Sequence, residues 1–408
     1  MRLFERDYQQ RKGHTRGTHR SRSPEETLHD YSRFMPQMGI TRLANVTGLD
    51  VVGIPVWMCV RPNSRNLSVS QGKGLDAASA KVSALMESIE GWHAESLELP
   101  IRYESPAVLR RTAHAVELEQ LSRWSSSAAP DTHAPMFWVE GFDLLAGKPI
   151  WLPHDIVNLN YVSPANHVPT LARNTNGLAS GNHLLEAIVH GLCEVIERDA
   201  MALWFVDDAA TAKATQLDLS TIDDPSCRSV IERLECADIQ VAAWDITSDI
   251  GIPSYACTVF DRPGLHVAGN FSGFGCHLDP AVALLRALTE AVQSRLTLIA
   301  GSRDDLRRSQ YQELRNEQDL AELAESVASP PATVDFRARR SAATATFEDD
   351  LALILDRLRA IGCDCVAVAD LTKRDIGIPV VKVIVPGLED GSVAGYRQGA
   401  RAQHRSAS

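Results

Sequence analysis

Lys81-Val-Ser-Ala-Leu-Met-Glu-Ser-Ile-Glu-Gly-Trp92 sets two glutamates three residues apart inside an apolar run. Read as a helix, it puts Ser83, Glu87 and Glu90 on one face, while Leu85, Met86, Ile89 and Trp92 turn mostly elsewhere. Alone, a Glu-x-x-Glu pair is an ordinary solvated helix face. The surrounding pattern, however, occurs three times: Ala80, Val82, Leu85, Glu87, Ile89; Ala187, Val189, Leu192, Glu194, Ile196; and Ala283, Leu285, Leu288, Glu290, Val292. The next residue in each copy is Glu90, Glu197 and Gln293. Glycine-bearing turns precede all three, at Gly72-Lys73-Gly74, Ser180-Gly181-Asn182 and Gly273-Phe274-Gly275.

Taken as helix faces, the three copies give three polar stripes. The first is Ser83, Glu87 and Glu90; the second Glu186, His190, Glu194 and Glu197, with Arg198 beside them; the third Arg286, Glu290 and Gln293. Their flanks are mostly apolar, and the second helix runs into Met201, Leu203, Trp204 and Phe205. Narrow acidic stripes on otherwise buried helices need counter-charge, because an unpaired buried carboxylate is costly. Arg198 and Arg286 cannot neutralise five or six glutamates, whereas a divalent cation can. Two Glu-x-x-Glu pairs make a hard-oxygen site suited to Mg²⁺, which also takes water and phosphate oxygens. The expected ligand is therefore a nucleotide polyphosphate, with Arg198 and Arg286 as bidentate phosphate partners and the glycine turns presenting backbone N–H groups. Lys73 is either a further cation for this site or an exposed residue of a plain tight turn. His190 has no Cys or second His at ligand spacing and reads as a hydrogen-bonded helix histidine.

A second repeat fixes the strands. Gly-Ile-Pro occurs at Gly53, Gly251 and Gly377, each time before a β-rich run: Val56 to Val60, Tyr255 to Phe260 and Val380 to Val385. A helix and a strand precede the last two, so these are related helix–strand–turn–strand units, in which proline starts a strand where its missing N–H is harmless. The fold class is α+β (mixed α/β), with repeated strand, glycine turn and helix units packed around a nucleotide site. Glu104 to Asp143 reads as a surface excursion with a polar run at Trp124 to Pro135, Ala324 to Ala345 as an exposed connection, and the segment after Tyr396 as a loose polar tail.

The 408 residues carry a formal net charge of −11, which argues against general nucleic-acid binding. Seven Lys and Arg side chains nevertheless crowd between Met1 and Ser23, including Lys12, Arg16, Arg20 and Arg22. This basic arm is either a solvated tail or a cationic flap over an anionic ligand, and it ends at a helix start, Ser23-Pro24-Glu25-Glu26-Thr27. The eight cysteines are scattered without zinc spacing; Cys363-Asp-Cys365 falls where a strand should begin, which predicts two buried thiols. With no signal peptide and no apolar stretch of membrane-spanning length, the expected compartment is the reducing cytoplasm.

Ser83-x-x-x-Glu87-x-x-Glu90, Asn176-Gly-Leu-Ala-Ser-Gly-Asn182, Glu194-x-x-Glu197-Arg198-Asp199 and Arg286-x-x-x-Glu290 together resemble the YcaO family, over roughly Thr41 to Pro386. The resemblance implies an ATP- and Mg²⁺-dependent enzyme that phosphorylates a peptide backbone amide oxygen, or the adduct formed after a nucleophile adds to the carbonyl. Cys, Ser or Thr nucleophiles then give azolines, and a sulfide source gives thioamides. It implies Glu87, Glu90, Glu194 and Glu197 as Mg²⁺ ligands, and Ser83, Asn182, Glu186, Arg198 and Arg286 as nucleotide contacts, with Arg20 reaching phosphate from the arm. Azoline-forming members end in a proline-rich tail, whereas no proline follows Pro386 here. The layout is similar to members that form thioamides with a TfuA-like partner, acting on a ribosomally made precursor peptide or protein; a homodimer is compatible with it. The alternatives are an azoline-forming cyclodehydratase with an E1-like leader-binding partner, and a non-catalytic peptide-binding or assembly protein. The expected division is a basic arm and helix start at 1–35, a catalytic domain at 36–390 and a polar tail at 391–408.

Overall fold

The computed structural model describes residues 1–162, 171–262, 269–303, 317–390 and 395–407. Within them the two sequence repeats belong to one structural unit. In its first copy, Arg42–Asn45, Val56–Val60 and Val69–Lys73 form an antiparallel sheet that leads into the helix Ala77–Ala94. In its second, Ile239–Asp245, Ser254–Asp261 and Asn270–Cys276 do the same before the helix Pro280–Ala300. The third copy is assembled from distant pieces. Ala367–Asp370 and Val380–Ile384 pair as a hairpin, but the next strand is Leu178–Ser180, and the helix that follows it is Leu184–Phe205. This copy lies in a six-stranded sheet extended by Met136–Asp143, Lys148–Pro153 and Ile101–Glu104.

The repeated residues have repeated physical duties. Gly53, Gly251 and Gly377 all take the left-handed conformation, with φ of 70°, 73° and 72°, where a side chain is strained. The isoleucine after each one is fully buried, so every turn plugs its own core. The repeated alanines Ala80, Ala187 and Ala283 are also fully buried. They are small because a glycine-bearing strand lies flat on the helix at that point. A Cβ at Gly72 would sit 2.0 Å from Ala84 N, and one at Gly275 2.0 Å from the Ala283 carbonyl oxygen.

The basic arm is ordered against this body. Gln10 and Lys12 exchange backbone hydrogen bonds with Phe347 and Ala345, and Lys12 Nζ pairs with Asp350 at 2.5 Å, both side chains being almost wholly buried. Ser23 and Glu26 then close a capping box on the helix Pro24–Tyr31.

Three expectations change. The segment after Tyr396 is not loose: Ala400–Ala407 is a helix, and Arg401 and Arg405 bind Asp199 and Asp207. Met136–Asp143, placed in a surface excursion, is an inner strand whose Trp138 is fully buried, because its polar flank hid an otherwise apolar run. Cys363 and Cys365 precede the strand Ala367–Asp370 and are half-buried, so they do not share a strand face.

Candidate active site

The three helices carry their polar stripes to one cavity of about 600 Å³. The helix Leu184–Phe205 has 17 buried residues among its 22, which leaves the stripe as its only sizeable polar surface. Ser83, Glu87 and Glu90 line the cavity from the first helix, and Glu186, His190, Glu194, Glu197 and Arg198 from the second. Asn182 lines it from the turn before the second helix, and Arg286, Glu290 and Gln293 from the third. The arm supplies Arg16, Arg20 and Arg22, and Lys73 enters from the end of the strand Val69–Lys73; the glycines expected in turns at 72 and at 273–275 lie in strands instead. The arm is therefore not a solvated tail: it lies ordered at the cavity with three of its arginines in the lining.

Backbone and side-chain donors hold the acids in place. Gln71 N–H donates to Glu87 at 3.2 Å. Ser180 donates to Glu90 through N–H at 2.8 Å and through its hydroxyl at 2.7 Å. Glu186 accepts from Ser21 N–H at 2.9 Å and Ser21 Oγ at 2.6 Å, with Arg20 at 3.5 Å, so it ties the arm to the second helix. Asn182 accepts from Thr27 at 2.9 Å. Lys73 pairs with Glu290 at 2.8 Å in the cavity lining, so it is not the exposed lysine of a plain turn. Sequence reasoning passed over Gln71 and Ser180 as carboxylate clamps. Ser180 stood in the quoted motif, but its role is visible only when Glu90 arrives from the first helix.

Arg198 and Arg286 act on Glu194 and Glu197, whereas Lys73 is the leading counter-charge for Glu87. Burial pushes Glu90 up to about 8, with Glu87 and Glu194 adding repulsion against the Ser180 hydroxyl. Burial likewise pushes Glu194 up to about 7, although Arg198 opposes it. Glu87 and Glu197 are raised for the same first reason. Glu87 has exposed area, yet it faces the cavity, and surrounding protein still desolvates its carboxylate. For Glu290 burial is the largest influence, but Lys73 and Arg198 outweigh it and the group ends below its ordinary value. Burial keeps His190 neutral, far below the ordinary imidazole value. Glu90 feels repulsion from both Glu87 and Glu194, and all four glutamates of the two Glu-x-x-Glu pairs line the one cavity.

The residues fit a metal–polyphosphate ligand. Among the described residues, Glu197 Oε2 and Arg286 Nε are buried without hydrogen-bond partners, an acceptor that suits a cation and a donor that suits an anion. Also among them, no three His, Cys, Asp or Glu side chains close into a metal cage unaided. Mg²⁺ requires none when phosphate oxygens and water fill much of its coordination sphere.

A buried acid–arginine cavity between three helices defines a nucleotide-type site. The family model described as YcaO cyclodehydratase, ATP- and Mg²⁺-binding, matches residues 71–389, and the chain belongs to the YcaO family. A protein of Rhizobium leguminosarum bv. trifolii, named only as an uncharacterized protein in the tfuA 3′ region, is 35% identical over 91% of this chain and 88% of its own length. An uncharacterized protein of Methanothermobacter thermautotrophicus is 35% identical over 93% of this chain and 97% of its own. Among solved structures, the YcaO protein of Methanopyrus kandleri bound with AMPPCP and Mg²⁺ aligns with a TM-score of 0.73 at 24% identity, over 93% of this chain and 95% of that one. A heterocyclase in complex with substrate and cofactor aligns with a TM-score of 0.80 at 24% identity, over 97% of this chain but only 56% of that one. Both likenesses bear on the fold. ATP and Mg²⁺ are the cofactors of the family.

Proposed function

We propose that this chain uses ATP and Mg²⁺ to activate a backbone amide of a ribosomally made peptide or protein, and that with a TfuA-like partner it forms a thioamide. The observation that carries the reading is the meeting of Glu87 and Glu90 with Glu194 and Glu197 in a cavity that also holds Arg198 and Arg286. Those four glutamates are the proposed Mg²⁺ ligands. Ser83, Asn182, Glu186, Arg198 and Arg286 are the proposed nucleotide contacts, with Arg20 reaching in from the arm. When bound, magnesium and ATP supply the phosphoryl group that lets the amide oxygen depart as phosphate when sulfur from a sulfide donor takes its place.

The protein's own part is positioning and electrostatic stabilisation. Arg198 and Arg286 are buried among carboxylates, which hold both guanidinium groups charged, so each offers a fixed positive charge to developing negative charge. Support for the TfuA-like partner comes from the relative named for the tfuA 3′ region. The cyclodehydratase description of the family favours a second reading, azoline formation with a separate leader-binding partner. The intact set of charged residues speaks against a non-catalytic binding protein. Among the described residues no helix is long and apolar enough to cross a membrane, and we place the protein in the cytoplasm, where its eight free cysteines would stay reduced.

Glu194→Gln and Glu197→Gln are expected to abolish Mg²⁺-dependent ATP turnover in a chain that stays folded. Wild-type turnover in either would remove the metal assignment. Mass spectrometry of a candidate peptide co-expressed with this chain and its genomic neighbours separates the products: exchange of oxygen for sulfur marks a thioamide, and loss of water marks an azoline.

A further inference from the structure

The six-stranded sheet has an open end far from the cavity. In its strand order Ile101–Glu104 is one edge, and Leu178–Ser180, beside the cavity, is the other. Glu140 N–H donates to the Pro100 carbonyl at 3.1 Å, and in an antiparallel ladder that bond fixes the alternation. Arg102 and Glu104 bond inward to Met136–Asp143, so the N–H and C=O groups of Ile101 and Tyr103 point away from the sheet. Among the described residues nothing bonds them. Open edges are normally shortened, charged or covered. This one carries apolar weight instead. Ile101 is 54% exposed, Tyr103 63%, and Phe137, directly opposite Tyr103 on the neighbouring strand, 54%. The Tyr103 and Phe137 rings stand 4.7 Å apart. On the other face of the strand Arg102 lies over the Trp151 ring, and neither Arg102 nor Glu104 has an ion-pair partner among the described residues.

A second copy of this strand, added antiparallel about a twofold axis, must match outward-bonding residues with outward-bonding ones. Setting Ile101 against the partner's Tyr103 would bring Arg102 against its own copy, two like charges face to face. Setting Tyr103 against its own copy places Arg102 opposite the partner's Glu104, twice, in the non-hydrogen-bonded positions where side chains come closest. We propose that Ile101–Glu104 is a self-association edge, through which two copies of this chain pair about a twofold axis at Tyr103. Phe137, Tyr103 and their two copies then form one row of rings across the junction, and two six-stranded sheets become continuous. Both cavities stay open, because each lies beside the opposite edge of its sheet. So short a pairing buries less than the roughly 1,600 Å² of a standard interface, so the dimer forms reversibly with concentration.

The test is analytical ultracentrifugation of the full-length chain over a wide concentration range. The mass is expected to climb from 44.6 kDa towards twice that. Arg102→Glu and Glu104→Arg are each expected to weaken association about tenfold, because the twofold axis turns two attractive pairs into two repulsive ones. Arg102→Glu combined with Glu104→Arg exchanges the charges without losing their match, and is expected to restore association to near the wild-type level. Hydrogen exchange locates the contact: the Ile101 and Tyr103 amides should slow with rising concentration in the wild type and the double variant, and far less in either single variant. A monomer at every concentration overturns the proposal, including the case in which the edge serves a different protein. A dimer that the single changes leave intact, a double variant no tighter than the singles, or a dimer whose Ile101 and Tyr103 amides stay unprotected also overturns it.

Discussion

Arg401 reaches from the C-terminal helix to Asp199, with Nε and Nη2 donating to its two carboxylate oxygens at 2.9 and 3.0 Å, one residue beyond Arg198. Asp199 also accepts from Glu389 N–H at 3.0 Å, and Glu389 in turn accepts from Gly399 N–H at 2.7 Å and Ala402 N–H at 2.9 Å. The back of the second site helix is thus tied to the last described turn of the chain. Arg401→Ala would leave Asp199 buried without its ionic partner, at a cost of roughly 3 kcal/mol. Urea denaturation followed by tryptophan fluorescence measures it, and a loss below about 1 kcal/mol contradicts a tight lock.

Lys12 is expected to be the anchor of the arm. Its partner Asp350 also accepts from Thr344 N–H at 2.7 Å and Thr344 Oγ1 at 2.8 Å, so the acceptor is held firmly and the lysine brings the charge. Lys12→Met leaves that carboxylate buried without its cation, again at about 3 kcal/mol. Hydrogen exchange should then quicken across Gly13–Arg22, where Gly13 and His14 bond the Arg20 carbonyl, and nucleotide affinity should fall because Arg16 and Arg20 line the cavity. Unchanged exchange in that segment would place the anchor elsewhere.

Without nucleotide, the site should destabilise the fold as the pH rises. Glu90 keeps its proton in the folded chain up to about pH 8, against an ordinary value of 4.5. Between those values the folded state binds more protons than the unfolded one, so stability falls with increasing pH across that window. The melting temperature should drop from about pH 5 to about pH 8, and Glu90→Gln should flatten the drop. Binding of Mg²⁺ and nucleotide near neutral pH should release protons, detected as a dependence of the calorimetric enthalpy on buffer ionisation.

Gly72→Ala should test the strand-on-helix contact. The added Cβ would sit 2.0 Å from Ala84 N and 2.3 Å from the Ala80 carbonyl oxygen, both backbone atoms that cannot turn aside. The expected cost is about 3 kcal/mol. Gly48→Ala, where a Cβ meets nothing within 4 Å, should change stability by less than about 0.5 kcal/mol. Equal effects at the two sites would mean that the contact is looser than it is drawn.

The site was legible where one local rule repeats. A buried alanine under a flat glycine strand and an acid on the adjoining face leave the same spacing wherever the unit occurs, so Glu87, Glu194 and Glu290 could be aligned before any contact was known. The Gly-Ile-Pro turns were legible for the same reason, through a left-handed glycine. Pairings set by distant parts of the chain were not. Arg401 and Arg405 look like tail charges until Asp199 and Asp207 lie opposite them, and Ser180 looks like a turn residue until Glu90 arrives from the first helix. Met136–Asp143 carries enough apolar residues for an inner strand, but a polar neighbour on one side and a short following turn concealed its boundaries.

The divided third unit bears on synthesis. The helix with Glu194 and Glu197 leaves the ribosome well before Val380–Ile384, the strand that pairs with its leading strand Leu178–Ser180. Until then the flank that packs on that strand stays open, although Ala200 and Met201 already have the second unit's sheet to pack on, and long-range pairings of this kind form slowly. One wall of the cavity must therefore wait for Val380–Ile384, so premature termination before that strand should damage nucleotide binding as much as loss of a site glutamate.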